Sequence, residues 1–174
     1  MDTDSLTLYK LIILFILDKV DFALTNAQLS NLILEKDYTN YFNIQTAINE
    51  LEASSLIHKE TIRNSSYFRI TEEGSETLGF FNEEISDAIK EDIMNYLRQN
   101  RYELKEEVST LADYYEARKG EFITRCFVKE GKSKLIEVNL NVPTEEEAII
   151  ICKNWKQESQ EIYAYLVKKL MNES

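Results

Sequence analysis

Residues that interrupt regular structure are scarce in this chain, with one proline and four glycines among 174 residues. That excludes a collagen-like or Gly/Pro-rich disordered polymer and predicts helices and strands joined by short turns. Histidine occurs once, at His58, and cysteine twice, at Cys126 and Cys152, without CxxC spacing. So few ligands offer no zinc site, and two cysteines fit a reducing compartment better than a disulfide framework. GxGxxG, P-loop and GxSxG motifs are missing. No nucleophile has a base near it in sequence, so neither an enzyme nor a cofactor nor a metal is expected. The longest apolar run, Leu11 to Leu17, has seven residues, whereas a membrane-spanning helix needs ~20. The start Met1-Asp2-Thr3-Asp4 is acidic, unlike a signal peptide. A cytoplasmic protein without membrane contact is the expectation.

Positive charge is also in deficit, with 20 Lys and Arg against 31 Asp and Glu, a net charge of −11. Residues 1–81 carry six basic and twelve acidic residues, and the remainder fourteen and nineteen. Neither half is basic overall, which weighs against nucleic-acid binding unless a local patch supplies the phosphate contacts. Such a patch exists at Leu56 to Ile70, where Lys59, Arg63 and Arg69 face one acidic residue, Glu60.

Hydrophobic residues make up 44% of the chain, enough for a core. Residues 5–19 predict a helix that is apolar nearly all round and therefore buried on several sides. Thr25 and Gln28 form a capping box ahead of a stripe at Leu29, Leu32 and Ile33. Thr39 or Asn40 caps the next helix, with Ile44, Ala47, Ile48 and Leu51 on one face. A strand over 56–63, a turn at Asn64-Ser65 and a return strand over 66–70 follow. Thr71 then caps a further helix through Leu78 and Phe81. Helices, hairpin and capped helix in this order predict a winged helix-turn-helix DNA-binding domain over residues 1–81.

A linker helix is expected over 82–106, with Ile85, Ile89, Ile93 and Leu97 on its seam. Residues 107–174 predict β-β-β-α: strands over 108–117, 121–130 and 133–142, a turn at Gly131-Lys132, and a helix capped by Thr144 and Glu147. The fold class is thus α+β, a winged helix-turn-helix followed by a long linker helix and a three-stranded antiparallel sheet with a C-terminal helix. The third part is expected to serve dimerisation or sensing. Tyr114, Arg125 and Tyr163 are its candidate polar groups, and the aromatics Tyr114, Tyr115, Phe122, Phe127 and Trp155 are pocket or core.

Three stretches carry a resemblance: Tyr38-Thr39-Asn40-Tyr41-Phe42, Phe68-Arg69-Ile70-Thr71-Glu72-Glu73-Gly74, and Asn154-Trp155-Lys156 with Ile162-Tyr163. With them the chain resembles, over nearly its whole length, a bacterial family of unknown function. Its members have an N-terminal winged helix and a C-terminal α/β part. Residues 5–81 are also similar to winged-helix regulators of the multiple-antibiotic-resistance and phenolic-acid-response types. The resemblance implies a transcriptional regulator and brings no ligand or catalytic residues with it.

On that reading Asn43, Gln45, Thr46 and Asn49 point outward to base edges, since amides pair with adenine and a threonine methyl meets thymine. Tyr38, Thr39, Asn40 and Tyr41 lie at the helix start and Lys59, Arg63, Asn64 and Arg69 on the hairpin, where they contact phosphates. Double-stranded DNA is the expected partner. A homodimer is expected because Leu6–Leu17 and the 85/89/93/97 seam exceed what one small domain covers easily. A small-molecule effector is compatible with the pattern but nothing specific argues for one. The alternative is a winged-helix protein-interaction module without DNA affinity.

Overall fold

Seven consecutive apolar side chains cannot sit on one stripe of a surface helix. In the computed structural model, which describes residues 3–172, helix α1 (Thr3–Asp18) buries every residue from Leu11 to Leu17. Met1 and Asp2 of the acidic start lie outside the described residues. Helix α2 (Asn26–Glu35) opens on the expected capping box: Thr25 Oγ1 accepts from the Gln28 N–H and Gln28 Oε1 accepts from the Thr25 N–H, each at 3.0 Å. Helix α3 (Tyr41–Ala53) is capped by Asn40, whose side chain accepts from the Asn43 N–H. Its apolar face, Ile44, Ala47, Ile48 and Leu51, is buried. Helix α1 packs against α3.

A two-residue strand, β1 (Leu24–Thr25), was not expected. It pairs with β3 (Ser65–Ile70), which also pairs with β2 (Ile57–Ile62), giving an antiparallel sheet in the order β1-β3-β2. The β2–β3 turn lies one residue earlier than expected. Ile62 pairs with Ser65, and Arg63 and Asn64 both have positive φ, 47° and 63°. Two central residues with positive φ match the twist of a tight hairpin, and asparagine tolerates that backbone well. Arg63 is therefore a turn residue and not the last residue of the strand.

Helix α4 (Glu72–Phe81) starts at Thr71, whose Oγ1 accepts from the Gly74 N–H at 3.0 Å. A 3-10 turn over Asn82–Glu84 interrupts the chain before α5 (Asp87–Ser109). The long helix thus begins later than residue 82. Ser86 Oγ accepts from the Ile89 N–H and caps it. The helix persists through Ser109, so β4 (Thr110–Arg118) starts two residues later than the alternation suggested. Strands β5 (Glu121–Glu130) and β6 (Ser133–Val142) complete a second antiparallel sheet, order β4-β5-β6, turning through Gly131 at φ 59°. Helix α6 (Glu145–Met171) follows. Thr144 Oγ1 accepts from the Glu147 N–H, while the Glu147 carboxylate accepts from the Thr144 hydroxyl rather than closing a box on the backbone.

Six α-helices and two three-stranded antiparallel sheets among the described residues make an α+β protein. It divides into two compact units, Met1–Lys105 and Glu106–Ser174. In the second, Ala112, Cys126, Cys152 and Trp155 form a buried cluster, and Trp155 Nε1 donates to the Phe127 carbonyl at 3.2 Å. Both cysteines are buried free thiols. Helix α6 packs chiefly on β4 and β5 and covers β6 thinly. Leu140 is exposed there, although the alternation placed it with Ile136 and Val138, which pack on the cluster.

The surfaces that suggested a second copy are covered only in part within the single chain, with Leu6, Leu8 and Tyr9 half-buried. Leu11–Leu17 are buried, as are Ile85, Ile93 and Leu97, and Ile89 is half-buried.

The start of α4 leaves no room for a side chain at Gly74, where a Cβ would collide with the Leu56 carbonyl oxygen and lie 2.9 Å from Ile70 Cγ1. Gly74→Ala should lower stability by about 1–3 kcal/mol through overpacking. Gly79→Ala, on the same helix with nothing within 4 Å of its Cβ, should raise it by about 0.4–1 kcal/mol. Urea unfolding of both variants reads the contrast, and equal midpoints would refute it.

Candidate nucleic-acid interface

Burial of Ile44, Ala47, Ile48 and Leu51 fixes the rotation of α3 and so decides what faces away from the core. The outward stripe is Phe42, Thr46, Asn49 and Ala53, at spacings of four, three and four residues. From Tyr41 to Asn49 the helix has no charged residue, and its two carboxylates are drawn off elsewhere. Glu50 pairs with Lys10 of α1 at 3.0 Å and Glu52 with Lys59 of β2 at 3.3 Å.

The residues expected on the reading face divide. Asn49 is exposed. Thr46 is half-buried and its hydroxyl donates to the Phe42 carbonyl at 3.0 Å, as threonine does within a helix. Asn43 donates to Thr39 Oγ1 at 2.9 Å, which ties both to the first turn. Gln45 does not point outward. Its Nε2 donates to Asn26 Oδ1 at 2.8 Å and to Ser30 Oγ at 3.3 Å, and its Oε1 accepts from Asn26 Nδ2 at 2.9 Å. The amide that resembled a base reader instead fastens α3 to α2.

At the helix start, Tyr41 is 57% exposed and Phe42 is 74% exposed. Phe42 was missed because an aromatic side chain ordinarily signals core. Only its position 160° or so around the helix from the buried face, at about 100° per residue, reveals it. Asn40 is exposed but its side chain is occupied as the cap. Tyr38 donates its hydroxyl to Asp92 Oδ2 of α5 at 3.2 Å. Burial, then the Asp92 charge and hydrogen bond, push its pKa up from 10.0 to about 12.

On the β2–β3 hairpin, Arg63 and Asn64 form the exposed tip, Lys59 is paired with Glu52, and Arg69 reaches the Asp21 carbonyl at 3.5 Å. A second gathering of cations escaped the sequence reading. Arg125, Lys129 and Lys134 lie 5.0–5.4 Å from the Phe127 ring, on the sheet face opposite the cysteine cluster. At these distances the cations meet the negative face of the ring. Hydrogen bonds from Lys134 and Arg125 hold the Glu137 carboxyl below its ordinary range. Arg125 therefore points away from Tyr114, which donates to Glu145 of α6 at 3.1 Å, and these groups do not converge on a common pocket.

Residues 9–170 match the family described as a domain of unknown function (DUF4364). The chain belongs to that family. No curated protein and no solved structure matches it. No helix among the described residues of this DUF4364 chain is long and apolar enough to cross a membrane.

Two predictions follow from the side chains withdrawn from this face. Gln45→Ala should destabilise the first unit by about 0.5–1.5 kcal/mol, because half-buried Asn26 loses the acceptor of its Nδ2 while its Oδ1 keeps the Ser30 hydroxyl, and urea unfolding reads this directly. Tyr38 keeps its proton in the folded chain after the unfolded chain has lost it. Its contribution is therefore complete below pH 10 and is lost as pH rises towards 12. Tyr38→Phe should flatten the fall in stability between pH 10 and pH 12, measured by urea midpoints at a series of alkaline pH values; an unchanged slope would contradict it.

Proposed function

We propose that the first unit is a winged helix-turn-helix, with α2 and α3 as the motif and the β2–β3 hairpin as the wing. The chain is then a cytoplasmic, sequence-specific DNA-binding regulator of transcription acting as a homodimer. The observation that carries this reading is the α3 face. In a chain of net charge −11, nine consecutive residues carry no charge, and the two carboxylates beyond them are paired with Lys10 and Lys59. Such a surface suits a groove-facing helix, because an unpaired carboxylate there would be repelled by phosphate. Asn49 offers an amide to a base edge, and Thr46 and Phe42 offer apolar contact to thymine methyls. Tyr41 at the helix start, and Arg63 and Arg69 on the wing, meet phosphates. The second unit sets the spacing of two such helices, ~34–36 Å for half-sites one turn apart.

One observation favours the other reading, a protein-interaction module. Exposed Tyr41 and Phe42 are the kind of aromatic pair that anchors protein interfaces.

Selection from a random pool of duplex DNA at low salt, followed by titration at two salt concentrations, separates them. One motif should be enriched. Asn49→Ala should relax preference at one position by about 1–3 kcal/mol. Arg63→Ala should weaken binding to every sequence and reduce the salt slope by about one. Folded protein that enriches nothing would leave this face to a protein partner.

A further inference from the structure

The stripe by which α6 grips its own sheet does not stop where the sheet stops covering it. Ala148, Cys152, Trp155 and Ser159 are buried. The same stripe continues, three or four residues apart, through half-buried Ile162 and Leu166 to Leu170, which is 81% exposed. Beside it lies an apolar groove of about 410 Å³ between α6 and β6, floored by Val138 and Leu140 and walled on the helix side from Ile150 to Leu166. Apolar groove and apolar stripe thus belong to one chain, both uncovered.

We infer that a second copy of this chain covers them, its α6 lying antiparallel along the first. Charge selects this occupant and this direction. Helix α6 begins with Glu145, Glu146 and Glu147 and ends with Lys168 and Lys169. An antiparallel copy sets acidic start against basic end at both extremities, whereas a parallel copy stacks like on like. The groove wall is symmetric for such a pairing. Glu158 is equidistant from Ile150 and Leu166, so a two-fold axis there places Ile150 opposite Leu166 and Glu147 opposite Lys169. An isologous contact needs this self-complementarity. The wall from 150 to 166 is ~24 Å long at 1.5 Å per residue.

The axis brings one like-charged pair together, Glu158 against its copy. This gives the interface a signature with opposite signs. The inference deepens the homodimer part of the proposed function and is read without DNA, so its failure leaves the selection experiment untouched.

Sedimentation equilibrium of the full chain at micromolar concentration should give twice 20.4 kDa. Ile150→Asp, at an exposed position on the groove wall opposite Leu166, should weaken the dimer at least tenfold with an unchanged urea midpoint for the monomer. Lys169→Glu should weaken it, and Lys169→Glu with Glu147→Lys should restore it. Glu158→Gln should tighten it. A 20.4 kDa species for the native chain, as a groove reserved for a small ligand or another protein would give, overturns the inference. So does a dimer that Ile150→Asp and Lys169→Glu leave intact.

Discussion

Everything in the first unit is arranged around the burial of Leu11–Leu17. A helix with no polar side must be enclosed, and α3, α4 and β3 all pack on α1. At roughly 1.5–3 kcal/mol for each large apolar side chain removed from water, no other single element contributes as much. The same enclosure fixes the rotation of α3. Once Ile44, Ala47, Ile48 and Leu51 turn inward, Phe42, Thr46, Asn49 and Ala53 have no choice but to face out. The candidate interface is a by-product of the core, and its composition is what remains after the core has taken its share.

Features written in a few neighbouring residues were legible in advance. The Thr25–Gln28 box, the Thr71 cap and the Gly131 turn depend on contacts within four residues, and alternation between turn residues marked β5 and β6 although their pairing is long-range. Features that depend on a distant partner were not. Strand β1 is two residues long and exists only because Leu24 and Thr25 find Phe68 and Tyr67. The hairpin turn moved by one residue because cross-strand register, Ile62 against Ser65, decided which residues take positive φ. The start of α5 moved because residues 82–84 form a 3-10 turn and Ser86 caps the helix beyond it.

The site shows the same division. Asn49 could be placed from helix periodicity alone. Gln45 could not, since its partners Asn26 and Ser30 lie nineteen and fifteen residues away on another helix. Phe42 was hidden for the converse reason, being apolar in a place where nothing packs on it. Polarity predicts exposure only while no buried network competes for the polar group. The acidic total charge was likewise a poor guide to α3, whose carboxylates are held by Lys10 and Lys59.

The lone tryptophan and both cysteines share the cluster around Ala112. The chain therefore carries its own optical probe and its own chemical probes in the second unit, and the first unit has none of either. Indole emission and thiol alkylation register opening of residues 106–174 alone, while far-ultraviolet dichroism registers both units. Comparing the three signals along one denaturation curve separates the melting of the two units without attaching a label or cutting the chain.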